Sequence, residues 1–170
     1  KDADTFEGYD FPIIRYAEVL LNYAEAMYEL GTTGKALDDA LNISLNLVRL
    51  RVNPDMPKLT TSFVSENSLD MREEIRRERT IELYNEGFRI DDLKRWNTAI
   101  VEMPKPILGV KWTGTDFATS WAGASTMAKD SEGCLILEGG RRWGSKNDLY
   151  PLPVDQCQLN PNLGQNPGWQ

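Results

Sequence analysis

From Tyr16 onward the apolar positions fall at Tyr16, Val19, Leu20, Tyr23, Ala24, Met27 and Leu30, the spacing of one helical face, with Glu18, Asn22, Glu25 and Glu29 opposite. Gly31 stands where a left-handed residue ends a helix, and Thr32, Thr33 and Gly34 make a turn. A second periodic segment, about Lys35 to Val52, carries a stripe of Leu37, Ala40, Leu41, Ser44, Leu45 and Val48, whose small members let two helices approach closely. Asn53-Pro54 stops it, because proline offers no N–H and clashes with the preceding turn. Residues 16–52 therefore read as a helical hairpin.

The 37 residues of this hairpin sit near the roughly 34-residue tetratricopeptide unit. Tyr16-x2-Val19-Leu20-x2-Tyr23 echoes half of that pattern, with Leu20 in place of the usual Gly. The polar stretch from Asn53 to Ser68 reads as a loop. Asp70, with Glu73 three residues on, then opens a third helix over about Met71 to Glu86. Glu74, Glu78, Glu82 and Glu86 share one line of it with Arg72, Arg76 and Arg79 beside them, which predicts ion pairs along the helix itself. Gly87 closes it, with Arg89 and Asp92 placed to bond across the corner. A fourth amphipathic segment, Arg89 to Ile100, sets Leu93, Trp96 and Ile100 against Asp91, Lys94 and Arg95, so that residues 70–100 form a second helix pair.

Met103-Pro104-Lys105-Pro106 ends the helical pattern. Residues 101–148 read as a variable loop region with Leu135-Ile136-Leu137 as a strand, and Tyr9 to Ile14 is a weaker strand candidate near the start. Residues 149–170, punctuated by Asn, Pro and Gly, read as a tail that wraps over the scaffold. The fold class is thus mainly α: one domain over 1–170, made of tetratricopeptide-like helical hairpins with long irregular loops and at most short strands.

Charge narrows the function. With 19 Lys and Arg against 26 Asp and Glu, the chain lacks the excess of cations that phosphate neutralisation needs, which argues against a nucleic-acid partner and an anionic membrane surface. No run approaches the ~20 apolar residues that span a bilayer. There is no His, which removes the usual general base, the Ser/His and Cys/His pairs and the commonest zinc ligand. Cys134 and Cys157 form no CxxC pair and are open to being free or bridged. Asp38-Asp39 and Asp91-Asp92 diverge on a helix, and Gly139 to Gly144 lacks the P-loop Lys-Ser/Thr, so neither a metal nor a cofactor is expected.

Carboxylates four apart on a helix lie ~6 Å from one another, inside the ~5–9.5 Å that glycoside hydrolysis uses. Each of Glu78, Glu82 and Glu86 nevertheless has an Arg one helical step away, which lowers a carboxylate pKa where an acid catalyst needs it raised. Structural ion pairing is the better reading, and no residue is assigned as catalytic.

Trp112, Trp121 and Trp143 are different, because they occur in Gly- and Ser/Thr-rich sequence that no core helix explains. A sugar ring has an apolar C–H face and a rim of hydroxyls, so its sites pair a flat aromatic with amide, carboxylate and guanidinium groups. Asp116, Arg142 and Asn147 stand close to these Trp residues in sequence. The six form the candidate ligand site. The plainer reading for each Trp is a plug packed against the body, and more so for Trp169 in the tail.

Three segments resemble the C-terminal part of the SusD/RagB-like family of outer-membrane nutrient-binding lipoproteins. The first is Pro12-Ile13-Ile14-Arg15-Tyr16-Ala17-Glu18-Val19-Leu20-Leu21-Asn22-Tyr23-Ala24-Glu25-Ala26, similar to the family's arginine-tyrosine-alanine-glutamate helix entry. The second runs from Ile75 to Trp96 and contains Arg76-x-Glu78-Arg79-x2-Glu82-Leu83-x2-Glu86-Gly87-x-Arg89-x2-Asp92-Leu93-x-Arg95-Trp96, similar to the family's run of that pattern. The third is Tyr150-Pro151-Leu152-Pro153 with Gln165-Asn166-Pro167-Gly168-Trp169, where the family commonly ends in Q-N-P-G-Y, so Trp169 is a mild departure.

The resemblance covers the chain except Lys58 to Ser68 and Lys105 to Lys146. It implies a C-terminal fragment of a longer protein, which would be held at the cell surface of Bacteroidetes-type bacteria by an N-terminal lipid on residues absent from this chain. It also implies non-catalytic capture of glycan nutrient and delivery to a TonB-dependent SusC-like transporter. The alternative is a tetratricopeptide-type scaffold whose concave surface binds protein.

Overall fold

The computed structural model describes residues 12–169. They fall into two compact units that divide between Arg89 and Ile90. The class is the one the sequence predicts, mainly helical, with a single two-stranded sheet among the described residues.

The first unit holds α1 (Tyr16–Glu29), α2 (Gly34–Asn42), α3 (Leu45–Val52), α4 (Thr61–Glu66) and α5 (Met71–Glu82). α1 packs on α2, α3 and α5 around Leu21, Leu37, Leu41, Leu45, Leu59 and Ile75. Each such leucine, fully removed from water, contributes roughly 1.5–3 kcal/mol before entropy is counted. The buried face of α1 is Leu21 and Ala24, joined by Ala17, Leu20 and Tyr28, whereas Tyr16, Val19 and Tyr23 are exposed. This corrects the stripe expected from spacing. With apolar residues at both Leu20 and Leu21, the pattern fits two faces, and packing selects the one with small residues.

The second segment of the hairpin is two helices rather than one. The buried Ser44 Oγ donates to the Ala40 carbonyl at 2.6 Å, a side-chain bond that competes with the backbone ladder, and the chain bends there before α3 begins. Asn46, fully buried, uses its carboxamide on both backbone groups of Leu59, accepting from its N–H at 2.7 Å and donating to its carbonyl at 3.0 Å. The segment expected as a loop is pinned by this pair and by Asp38, which accepts from the Thr61 N–H and hydroxyl. It also contains α4, whose Thr60 cap accepts from the Phe63 N–H.

Asp70 caps α5 as expected, accepting from the Glu73 N–H at 2.9 Å. The helix stops at Glu82, short of Gly87, and Asn85 and Gly87 turn the chain at positive φ. Its charges do more across helices than along it. Arg49 reaches Glu78 at 3.2 Å, Arg15 and Arg51 both reach Glu82 at 2.9 Å, and Arg72 reaches Glu29 at 2.8 Å. Pairs within the helix, Arg76 to Glu73 and Arg77 to Glu74, are longer at 3.4 Å. Arg89 donates to Thr80 rather than to Asp92, which accepts from Arg95.

The second unit begins inside α6 (Phe88–Arg95) and continues with α7 (Ala99–Glu102), β1 (Ile107–Lys111), α8 (Phe117–Ser120), β2 (Cys134–Glu138) and α9 (Val154–Leu159). Asn97 at positive φ breaks the expected fourth helix, so Ala99 is buried and Ile100 is exposed. β2 extends the expected strand by one residue at each end. It pairs antiparallel with β1, which lies in the expected loop region, with Leu108 opposite Ile136 and irregular register on either side. Gly109 allows the pairing, since a Cβ there would meet the Leu137 side chain at 3.1 Å. Of the weaker strand candidate, Tyr9 to Phe11 lie outside the described residues and Pro12 to Ile14 are not strand. The tail, expected to be turns without a new element, includes α9.

Candidate functional site

Beyond β1 the chain folds back onto β2. The backbone N–H groups of Trp112 and Thr113 both donate to the Gly133 carbonyl, at 2.8 and 3.1 Å. Gly133 has φ +84°, and a Cβ on it would fall 2.5 Å from Thr113 Cβ, so only glycine permits this approach. It brings the Trp112 ring down onto Leu135 and Ala124, with Ala118 and Met127 around them. Trp112 is left only 5% exposed. A platform for a sugar needs an open face, and Trp112 supplies the floor instead.

The open face belongs to Trp121, at the end of α8, which is 53% exposed and stands edge-on to Trp112 at a centroid distance of 6.2 Å. Asp116 starts α8 and is exposed; its carbonyl accepts from the Thr119 and Ser120 hydroxyls. Lys129 Nζ lies 5.8 Å over the Trp112 ring and donates to the Ser125 and Met127 carbonyls. Trp112, Asp116 and Trp121 thus come together, the first as support and the last as surface.

Trp143 and Asn147 form a second group. The Trp143 indole N–H donates to Asp148 at 2.9 Å, and Asn147 Oδ1 accepts from the Gly144 N–H at 2.8 Å, closing a tight turn. Arg142 beside them is exposed. Four residues outside the expected site, Lys94, Lys146, Tyr150 and Trp169, complete this surface. Lys94 Nζ lies 4.0 Å from the Tyr150 ring centroid and 5.7 Å from that of Trp143, and Lys146 Nζ lies 4.8 Å from that of Trp169 in the tail. A Lys so far from its aromatic partner in sequence carries no local signal.

The carboxylate line of α5 is occupied by Arg partners, as described above. Glu78 departs from expectation in one respect: burial pushes its carboxyl above the usual range, and Arg49 offsets only part of that. Among the described residues no group of His, Cys, Asp or Glu could hold a metal ion, and Cys134 and Cys157 are both free thiols. No helix among them is long and apolar enough to cross a membrane.

The first unit is a helical bundle, and the second carries aromatic surfaces on its hairpin and tail. The sequence profile of the SusD family matches residues 2–169, and the chain belongs to that family. Two solved structures show the same fold. A SusD-like carbohydrate binding protein from Bacteroides fragilis is 31% identical with a TM-score of 0.66, over 90% of this chain and 28% of that one. A SusD-like protein from the same species is 29% identical with a TM-score of 0.60, over 92% of this chain and 25% of that one. The chain therefore spans about a quarter of their length. No curated protein matches it.

Proposed function

We propose that the chain takes part in non-catalytic glycan binding at the bacterial cell surface, with delivery of the glycan to a TonB-dependent SusC-like transporter and attachment to the outer membrane through a lipid. The observation that carries the binding is the half-open Trp121 ring held edge-on by the buried Trp112. An exposed indole that is immobilised from beneath presents a flat apolar face at little entropic cost, and that face matches the C–H side of a pyranose. The Bacteroides fragilis relative described as a carbohydrate binding protein supports the same ligand class. Capture without chemistry agrees with the absence of His and with the Arg-paired carboxylates of α5.

The test is a fluorescence titration of the chain against plant, host and microbial glycans up to millimolar concentration. A saturable change for one glycan class, lost in Trp121→Ala and unaccompanied by release of reducing ends, is the expected result. A response that survives Trp121→Ala sinks the assignment of the platform. Delivery predicts that the full-length protein co-purifies with a TonB-dependent channel.

A second reading, a protein-binding scaffold, has one observation in its favour. An apolar groove of about 470 Å3 opens in the first unit between Ile14, Tyr16, Leu20, Leu47 and Val48. Loss of a protein partner in Leu47→Glu, with glycan binding intact, would favour it.

A further inference from the structure

We propose that the surface built by Trp143, Tyr150 and Trp169 with Lys94 and Lys146 binds the acidic residue of a saccharide, a sugar ring that carries a carboxylate or a sulfate. The proposal rests on the glycan-binding reading and narrows its ligand class.

The first observation is charge left over. In the first unit Arg15, Arg49, Arg51 and Arg72 each meet a carboxylate. Among the described residues none of Lys94, Arg141, Arg142 and Lys146 does so. Arg141 is spent on the Lys105 carbonyl and the Met103 sulfur, and Arg142 is exposed. Asp148 is the single carboxylate between Gly139 and Tyr150, and the Trp143 indole occupies it. In a chain of net charge −7, four cations of one unit that meet no carboxylate among the described residues are available to attract an anion.

The second observation is that two of these cations are held in position. Lys94 Nζ sits 4.0 Å from the Tyr150 ring and 5.7 Å from that of Trp143, and Lys146 Nζ sits 4.8 Å from that of Trp169. A ring quadrupole holds an ammonium without cancelling its charge, so both remain available to an anion. The Lys146 stem is wedged against Gly168, where a Cβ would lie 2.7 Å from Lys146 Cβ and where φ is +83°.

The third observation is a frame. The Trp169 indole N–H is shared by the Lys146 and Leu149 carbonyls at 2.8 and 2.9 Å, and Asn166 donates to the Tyr150 carbonyl at 2.6 Å. Gln165 accepts from the Leu152 N–H and donates to its carbonyl, at 2.7 and 2.8 Å. The tail thereby fixes the backbone on either side of Tyr150, which stays 72% exposed. A sugar ring laid against this open phenol would bring an anionic substituent to the ammonium groups beside it, the pairing of aromatic face and fixed cation that an acidic sugar requires.

The test compares trigalacturonic acid with galactotriose by calorimetry on the full chain. The acidic trisaccharide is expected to bind about tenfold more tightly at low salt, and to lose most of that advantage when exposed charges are screened at about 0.5 M NaCl. Lys94→Met with Lys146→Met, which keeps the apolar stems on the rings, should remove the preference. Equal affinities, or a preference that survives the double variant or high salt, overturn the acidic assignment and leave the glycan reading standing. Failure of both trisaccharides and of the neutral glycan panel overturns both. Binding to phosphatidylglycerol vesicles through the same two lysines, with no saccharide bound, would make the surface a membrane contact and overturn the proposal. The salt series needs no variant, so a misfolded mutant cannot shelter it.

Discussion

Arg15 and Glu82 stand 67 residues apart in the chain and meet at 2.9 Å, the guanidinium also donating to the Glu82 carbonyl and to Glu86. Arg15 is the residue before α1, and Glu82 ends α5. Two of the three motifs that mark the family are therefore two halves of one contact. The carboxylates hold Arg15 still more firmly in its charged form than an ordinary arginine.

Because the fork of Arg15 serves three acceptors in a partly buried setting, Arg15→Ala should cost about 1.5–3 kcal/mol. Arg15→Lys should recover less than half, since an ammonium cannot span both carboxylates. Urea midpoints of the two variants measure this, and a lysine variant as stable as the parent would refute the bidentate role.

Burial raises the carboxyl of Glu78 above its ordinary 4.5. The folded state thus holds this proton more tightly than the unfolded chain does, and the associated stability is full below 4.5 and lost as pH rises through the higher folded value. Glu78→Gln abolishes that dependence. The stability of the parent relative to the variant should therefore be greater near pH 4 than near pH 7, and a difference that grows with pH would contradict the assignment.

Trp112→Ala removes a ring that is 5% exposed and supports the hairpin, and should destabilise the chain by about 3–5 kcal/mol. Trp121→Ala, at a half-open position, should cost less than about 1 kcal/mol. Thermal melts separate the two, and similar losses would mean that Trp121 is core rather than platform.

Gln165→Ala deletes both bonds to Leu152, worth about 1–2 kcal/mol together. The loss should appear as faster amide exchange between Leu149 and Leu152, with α1 to α5 unchanged. Uniform acceleration over the whole chain would show that the tail is no local clamp.

Much of the helical layout is legible along the chain because its causes are local. The Asp70 cap, the stop at Asn53-Pro54 and the apolar period of residues 35–48 act over a turn or two of backbone. Legibility fails where a distant group decides. Ser44 bends the second segment only because it is buried. α4 is pinned by Asp38 and Asn46, and β1 exists because β2 returns to pair with it.

The candidate site divides in the same way. Trp-rich, Gly-rich composition singled out Trp112, Trp121 and Trp143 as unlike core residues, but the sequence could not say which indole faces in. The Gly133 contact buries Trp112 and leaves Trp121 open, and the tail brings Trp169 and Lys146 beside Tyr150 and Lys94. By itself, then, the sequence determined the helical class, the caps and the family motifs, since these depend on neighbours a few residues away. The tertiary structure alone decided the buried face of α1, the partners of Glu78 and Glu82, and the exposure of each aromatic, because those energies come from groups that only folding makes adjacent.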